Sequence, residues 1–104
     1  MNSGLSEKEL EKLKTVFCEF PQIHKVVLYG SRAKGTYKPS SDIDLTIVGD
    51  KLSLRTLSAI ENRIDDLLLP YKVDLSDFKT LTNPHLIEHI NRVGITIFET
   101  SPNT

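Results

Sequence analysis

Two apolar runs stand close together in this chain: His24-Lys25-Val26-Val27-Leu28-Tyr29, and Ile43-Asp44-Leu45-Thr46-Ile47-Val48 beyond the loop Thr36 to Ser41. The connection of about twelve residues constrains the fold more than any other feature, because a full parallel crossover needs at least that much chain and usually a helix. A tight antiparallel return fits better. The second run alternates, with Ile43, Leu45 and Ile47 on one face and Asp42, Asp44 and Thr46 on the other. The first run is nearly continuous from Val26 to Tyr29, as expected of a strand covered on both faces.

Elsewhere helices alternate with strands. Ser6 and Glu9 form a capping box that opens a helix through about Phe20, with Leu10, Leu13, Phe17 and Phe20 as its core stripe and Pro21 as its stop. Leu54, Leu57, Ile60, Ile64, Leu67 and Leu68 mark a second helix, about Ser53 to Leu69, ended by Pro70. Lys72 to Phe78 reads as a third strand, with Val73 and Leu75 on one face and Lys72, Asp74 and Ser76 on the other. Asn83-Pro84 starts a third helix running to about Val93, Gly94 stops it, and Ile95 to Phe98 is a short last strand. The tail Ser101 to Thr104 is expected to be loose. The class is therefore α/β or α+β, a mixed sheet of three to four strands flanked by helices, in one domain over residues 1–104.

Composition excludes several functions. A net charge of −1 gives no basic footprint for long duplex nucleic acid. Cys18 is the only cysteine, so no disulfide framework can form within the chain, which suits a reducing cytosol. On the predicted helix it reads as a small half-buried residue rather than a nucleophile. There is no signal-peptide pattern, and no apolar run approaches the ~20 residues of a membrane span. A cytoplasmic protein is expected.

The chemistry is concentrated around the first two strands. Gly30-Ser31 closes the first, and after a gap of ten residues Asp42-Ile43-Asp44 heads the second. Gly30 lacks the Cβ that would block a phosphate, and the backbone N–H groups and hydroxyl at Ser31 are anion donors. Arg32, Lys34 and Lys38 lie in the gap, where any of them can neutralise phosphate or simply face solvent. Asp42 and Asp44 share a strand face, roughly 6.6 Å apart along it at ~3.3 Å per residue, close enough to converge on a cation. Hard oxygen donors of this kind suit Mg²⁺, which binds one or two carboxylates together with substrate phosphates. Asp74, on the polar face of the third strand, makes a third carboxylate if those strands are neighbours. Metal, phosphate and a third acid point to phosphoryl or nucleotidyl transfer, the first two Asp holding the ion and the third orienting or deprotonating an attacking hydroxyl.

Gly30-Ser31, ten residues, Asp42-x-Asp44 and a later Asp74 resemble the signature of the DNA polymerase beta-like nucleotidyltransferase superfamily. Gly-Ser-Arg-Ala-Lys-Gly followed by Ser-Asp-Ile-Asp-Leu, in a chain this small, resembles its minimal nucleotidyltransferase (MNT) branch. The resemblance spans residues 24–78 by motif and the rest by element order. It implies the polymerase beta-like fold, two Mg²⁺ ions, Asp42, Asp44 and Asp74 as metal-binding and catalytic residues, and Gly30 and Ser31 at the triphosphate of ATP or another NTP, where the basic Arg32 and Lys34 of the gap are the expected further phosphate contacts. It also implies a partner: many MNT proteins pair with a helical HEPN-domain toxin, transfer AMP from ATP to its tyrosine and silence its ribonuclease activity. With no second domain to hold the acceptor, a heteromer or a homodimer is expected.

Other patterns compete. Asp42-Ile43-Asp44-Leu45-Thr46 matches the D-x-D-x-T of haloacid dehalogenase-like phosphatases, but there the first Asp follows an apolar strand and here it follows a polar loop. His85-Leu86-Ile87-Glu88-His89 matches H-x-x-E-H, an inverted zinc-protease motif, and reads more simply as an exposed helix face with Leu86, Ile87 and Ile90 packed inward. His24 is most simply a surface residue. A non-enzymatic antitoxin or nucleotide-binding adaptor that neutralises its partner by binding is the alternative function.

Overall fold

The computed structural model describes residues 3–100. The expected loose tail, Ser101 to Thr104, lies outside the described residues. Along the chain run α1 (Glu7–Cys18), β1 (Ile23–Tyr29), α2 (Ser31–Lys34), β2 (Ile43–Gly49), α3 (Leu54–Asp65), β3 (Val73–Asp77), a 3₁₀ turn (Phe78–Thr80), α4 (Pro84–Val93) and β4 (Ile95–Glu99).

The four strands form one mixed sheet in the order β3-β2-β1-β4. β1 is antiparallel to both β2 and β4, and β2 is parallel to β3. The antiparallel return expected from the short β1–β2 connection is present, and it sets Tyr29 opposite Asp44. The parallel pair sets Asp44 beside Asp74 and Thr46 beside Ser76. Two register relations thus bring three distant stretches of sequence to one end of one sheet face.

The other face carries the core. Ile43, Leu45 and Ile47 are fully buried, as their alternation requires, and pack with Val26 and Leu28 of β1 against Leu13, Val16 and Phe17 of α1 and Ile60 and Ile64 of α3. α1 starts at the expected capping box: Ser6 Oγ accepts from the Glu9 N–H (3.0 Å), and the Glu9 carboxylate accepts from the Ser6 N–H (2.9 Å). Arg63 of α3 clamps Glu19 past the end of α1 with two bonds, at 2.8 and 2.7 Å. The face bearing the acids is covered in part by α4, whose Ile90 is buried and whose following Gly94 lies so close to Val27 that a Cβ there would collide with it.

Three expectations are corrected. Leu54 and Leu68 are 84% and 86% exposed rather than part of the α3 stripe. Leu54 is the first helical residue, and α3 stops at Asp65, leaving Leu68 in a turn with φ +54°. Cys18 is exposed, since the next position after buried Phe17 turns off the buried stripe.

Candidate active site

Gly30 ends β1 with φ +77° and ψ −157°, a conformation that favours glycine. A second reason for glycine comes from across the sheet. The Asp44 carboxylate lies against the Gly30 Cα, so a Cβ at residue 30 would overlap Asp44 Oδ2. The turn and the acid are therefore one site.

Asp44 is half-buried, Asp42 exposed, and Asp74 half-buried beside Asp44 in the parallel register. Burial raises the Asp44 pKa above its ordinary 3.8, and the charges of Asp74 and Asp42 push it further. Repulsion of this kind is relieved by a cation, and the all-carboxylate donor set fits a hard one. Among the described residues no three such side chains already converge as a closed metal cage; the fit is to an ion that takes remaining ligands from phosphate and water. Lys72 reaches Asp74 from the same strand face (Nζ to Oδ1, 3.8 Å). Asp77 is a different kind of residue: it is buried, and its carboxylate accepts from the Lys79 N–H (3.0 Å), capping the 3₁₀ turn.

Beneath the acids the polar face continues. Thr46 is fully buried, and the Ser76 hydroxyl donates to its Oγ1 (3.0 Å). Burial raises the Tyr29 pKa, a hydrogen bond with Ser76 opposes, and the Asp44 and Asp74 charges raise it again, so this hydroxyl stays protonated next to the carboxylates. A cavity of about 270 Å³, lined by Ile64, Asp65, Leu69, Tyr71, Lys72 and Val73, lies where the end of α3 meets the start of β3.

The expected phosphate residues separate in space. Gly30 and Ser31 form the turn, and Lys34 is exposed at the end of α2. Arg32 departs from expectation. It is 1% exposed, and its guanidinium donates to the carbonyls of Ser41 (3.2 and 3.0 Å), Pro39 (3.4 Å) and Ser3 (2.9 Å) while lying 5.0 Å from the Tyr37 ring centroid and 4.6 Å from that of Tyr71. Its charge lies among carbonyl oxygens and ring faces. The bonds to Pro39 and Ser41 tie Arg32 to the loop directly before Asp42.

The H-x-x-E-H stretch also departs from expectation. His85 is exposed and Glu88 pairs with Arg92 (2.9 Å). His89 is half-buried at the site itself: Nε2 accepts from the Gly30 N–H (3.0 Å), and its ring meets Tyr29 edge-on at 6.3 Å between centroids. Spacing within α4 gives no sign of this, because the contact spans 59 residues.

A glycine turn abutting the Asp44 carboxylate thus stands at one end of a mixed sheet cored by two helices. The chain belongs to the polymerase beta nucleotidyltransferase family, whose model matches residues 11–103. It is 31% identical over 96 residues, 91% of this chain and 83% of the relative, to a Haemophilus influenzae protein named "Probable protein adenylyltransferase MntA". Among solved structures, it resembles a chain of a toxin–antitoxin crystal structure with AMP-PNP at TM-score 0.71 and 22% identity, covering 88% of this chain and 73% of that one. It also resembles a chain in the complex of tri-AMPylated Shewanella oneidensis HEPN toxin with MNT antitoxin, at TM-score 0.62 and 20% identity, covering 94% and 73%. Family membership displaces the dehalogenase and zinc-protease readings, and the fold is the expected polymerase beta-like one.

Two outcomes follow for this site. Arg32→Lys keeps the charge but cannot span three carbonyls, and is expected to destabilise the fold by about 2–3 kcal/mol in urea denaturation. Asp44 holds a proton more tightly folded than unfolded, so its contribution to stability is complete below 3.8 and is lost as pH rises through the raised value. At neutral pH without divalent cations, Asp44→Asn is therefore expected to melt above the wild type; a lower melting temperature contradicts the strained-acid account.

Proposed function

We propose that this chain is an MNT-type antitoxin that transfers AMP from ATP to a hydroxyl of a HEPN-type partner protein. The observation that carries the proposal is the Asp44 carboxylate seated against Gly30, with Asp74 in register beside it. The relative named as an adenylyltransferase and the AMPylated toxin complex support it.

Asp42 and Asp44, with Asp74 at their side, would hold Mg²⁺, which supplies charge neutralisation at the triphosphate and lowers the pKa of the acceptor hydroxyl. The chain's own residues do the rest. The N–H of Gly30 and the backbone and hydroxyl of Ser31 donate to the triphosphate. Lys34, exposed at the end of α2, adds positive charge from solvent. Asp74 orients the acceptor hydroxyl and takes its proton; the acceptor oxygen bonds to the α-phosphorus, and the bond to the leaving pyrophosphate breaks. Arg32 keeps the Asp42 loop at a fixed distance from the turn. Asp42 is exposed, which leaves the acids within reach of an acceptor carried by another chain, in a heteromer or a homodimer.

Among the described residues no helix is long and apolar enough to cross a membrane. A cytoplasmic setting, where ATP and Mg²⁺ are abundant, completes the proposal.

The test is transfer of label from α-labelled ATP, with Mg²⁺, to the partner that co-purifies from the native host. Wild type is expected to label it, and Asp42→Asn/Asp44→Asn to lose at least a hundredfold in rate while still binding the partner. If neither protein transfers label and both bind the partner, the chain is a non-enzymatic antitoxin.

A further inference from the structure

Gly30 has one N–H, and in this structure it is taken. The acceptor is His89 Nε2 at 3.0 Å, brought from α4 across the acid-bearing face of the sheet. Since Nε2 accepts, the ring proton of the neutral imidazole is on Nδ1. The ring is held in place by its edge contact with Tyr29, and α4 beneath it is anchored by buried Ile90. The same Gly30 backbone abuts the Asp44 carboxylate. His89 therefore occupies a donor at the junction of the phosphate turn and the acid pair.

One N–H cannot serve two acceptors at full strength. A phosphate oxygen bears charge and makes the stronger, charge-assisted bond, so it wins over a neutral ring nitrogen. The bond to His89 must still be given up, and nucleotide binding is weakened by its net worth. We propose that His89 is an affinity-setting residue of the nucleotide site, an internal ligand that holds the Gly30 N–H until a nucleotide phosphate displaces it. The inference rests on the reading of the Gly30–Ser31 turn as the phosphate site. It assigns a role in nucleotide affinity to a residue from α4, outside the Gly-Ser and Asp-x-Asp stretches.

Two variants remove the acceptor in different ways. His89→Phe keeps a ring against Tyr29, and His89→Ala removes it. Calorimetric titration of the full chain with a non-hydrolysable ATP analogue and Mg²⁺ is done at mildly alkaline pH, where a free imidazole is neutral. Both variants are expected to bind about threefold to tenfold more tightly than wild type, the range spanned by one net hydrogen bond. In ¹⁵N spectra of the wild type, the His89 Nε2 resonance is expected to lose its hydrogen-bonded shift as the analogue saturates, together with a change at the Gly30 amide. Should a variant fail to fold, this wild-type measurement decides alone. Unchanged or weaker binding in either folded variant, or an Nε2 resonance unmoved at saturation, overturns the proposal while leaving the phosphate site intact. Absence of binding in wild type and variants alike overturns the phosphate reading of the turn, and this proposal with it.

Discussion

The contact between the Asp44 carboxylate and the Cα of Gly30 is the constraint on which the rest of the site depends. It exists because β1 and β2 are antiparallel and in a register that sets Tyr29 against Asp44, one residue before the turn. Only glycine leaves room for the acid there, and only the positive φ at Gly30 turns the chain away from the sheet into α2. Any residue with a Cβ would push the carboxylate off the turn. The turn backbone and the acid are thus fixed to each other by main-chain hydrogen bonds, more rigidly than side chains alone could hold them.

Around this contact the protein spends stability on function. Asp44 is kept half-buried among like charges, which the core on the opposite face offsets through fully buried Leu45, Ile47, Phe17 and Leu13. The Asp42 side of the site needs its own support, because a polar loop rich in serine has little to pack. Arg32 supplies that support by gathering three backbone carbonyls and two tyrosine rings around one buried guanidinium. Its flat, multi-donor shape suits this task, and a lysine's single ammonium does not.

Much of this was legible in the sequence, for local reasons. Alternation from Ile43 to Ile47 assigned the acids a face, the short β1–β2 link required an antiparallel return, and Ser6, Asn83 and Gly94 marked helix ends that the structure keeps. What escaped was set by long-range contact. Arg32 sits among motif residues and looks like a phosphate ligand; only the packing of Tyr37, Tyr71 and the Ser41 carbonyl shows that it faces inward. His89 lies on a helix where spacing suggests a solvent face, and its bond to Gly30 depends on how α4 crosses the sheet. Thr46 and Ser76 carried a weak signal, since each shares a strand face with an acid, but their mutual bond required the β2–β3 register. Leu68 shows the converse, since the apolar periodicity continues past the point where the helix ends, and Leu54 sits in the first, exposed turn.

The most direct measurement is a crystal structure of the full chain with Mg²⁺ and a non-hydrolysable ATP analogue. The ion is expected on Asp42 and Asp44 next to Asp74, and the triphosphate against the Gly30–Ser31 turn. A nucleotide bound away from that turn, or an ion that leaves Asp44 uncoordinated, would contradict this arrangement.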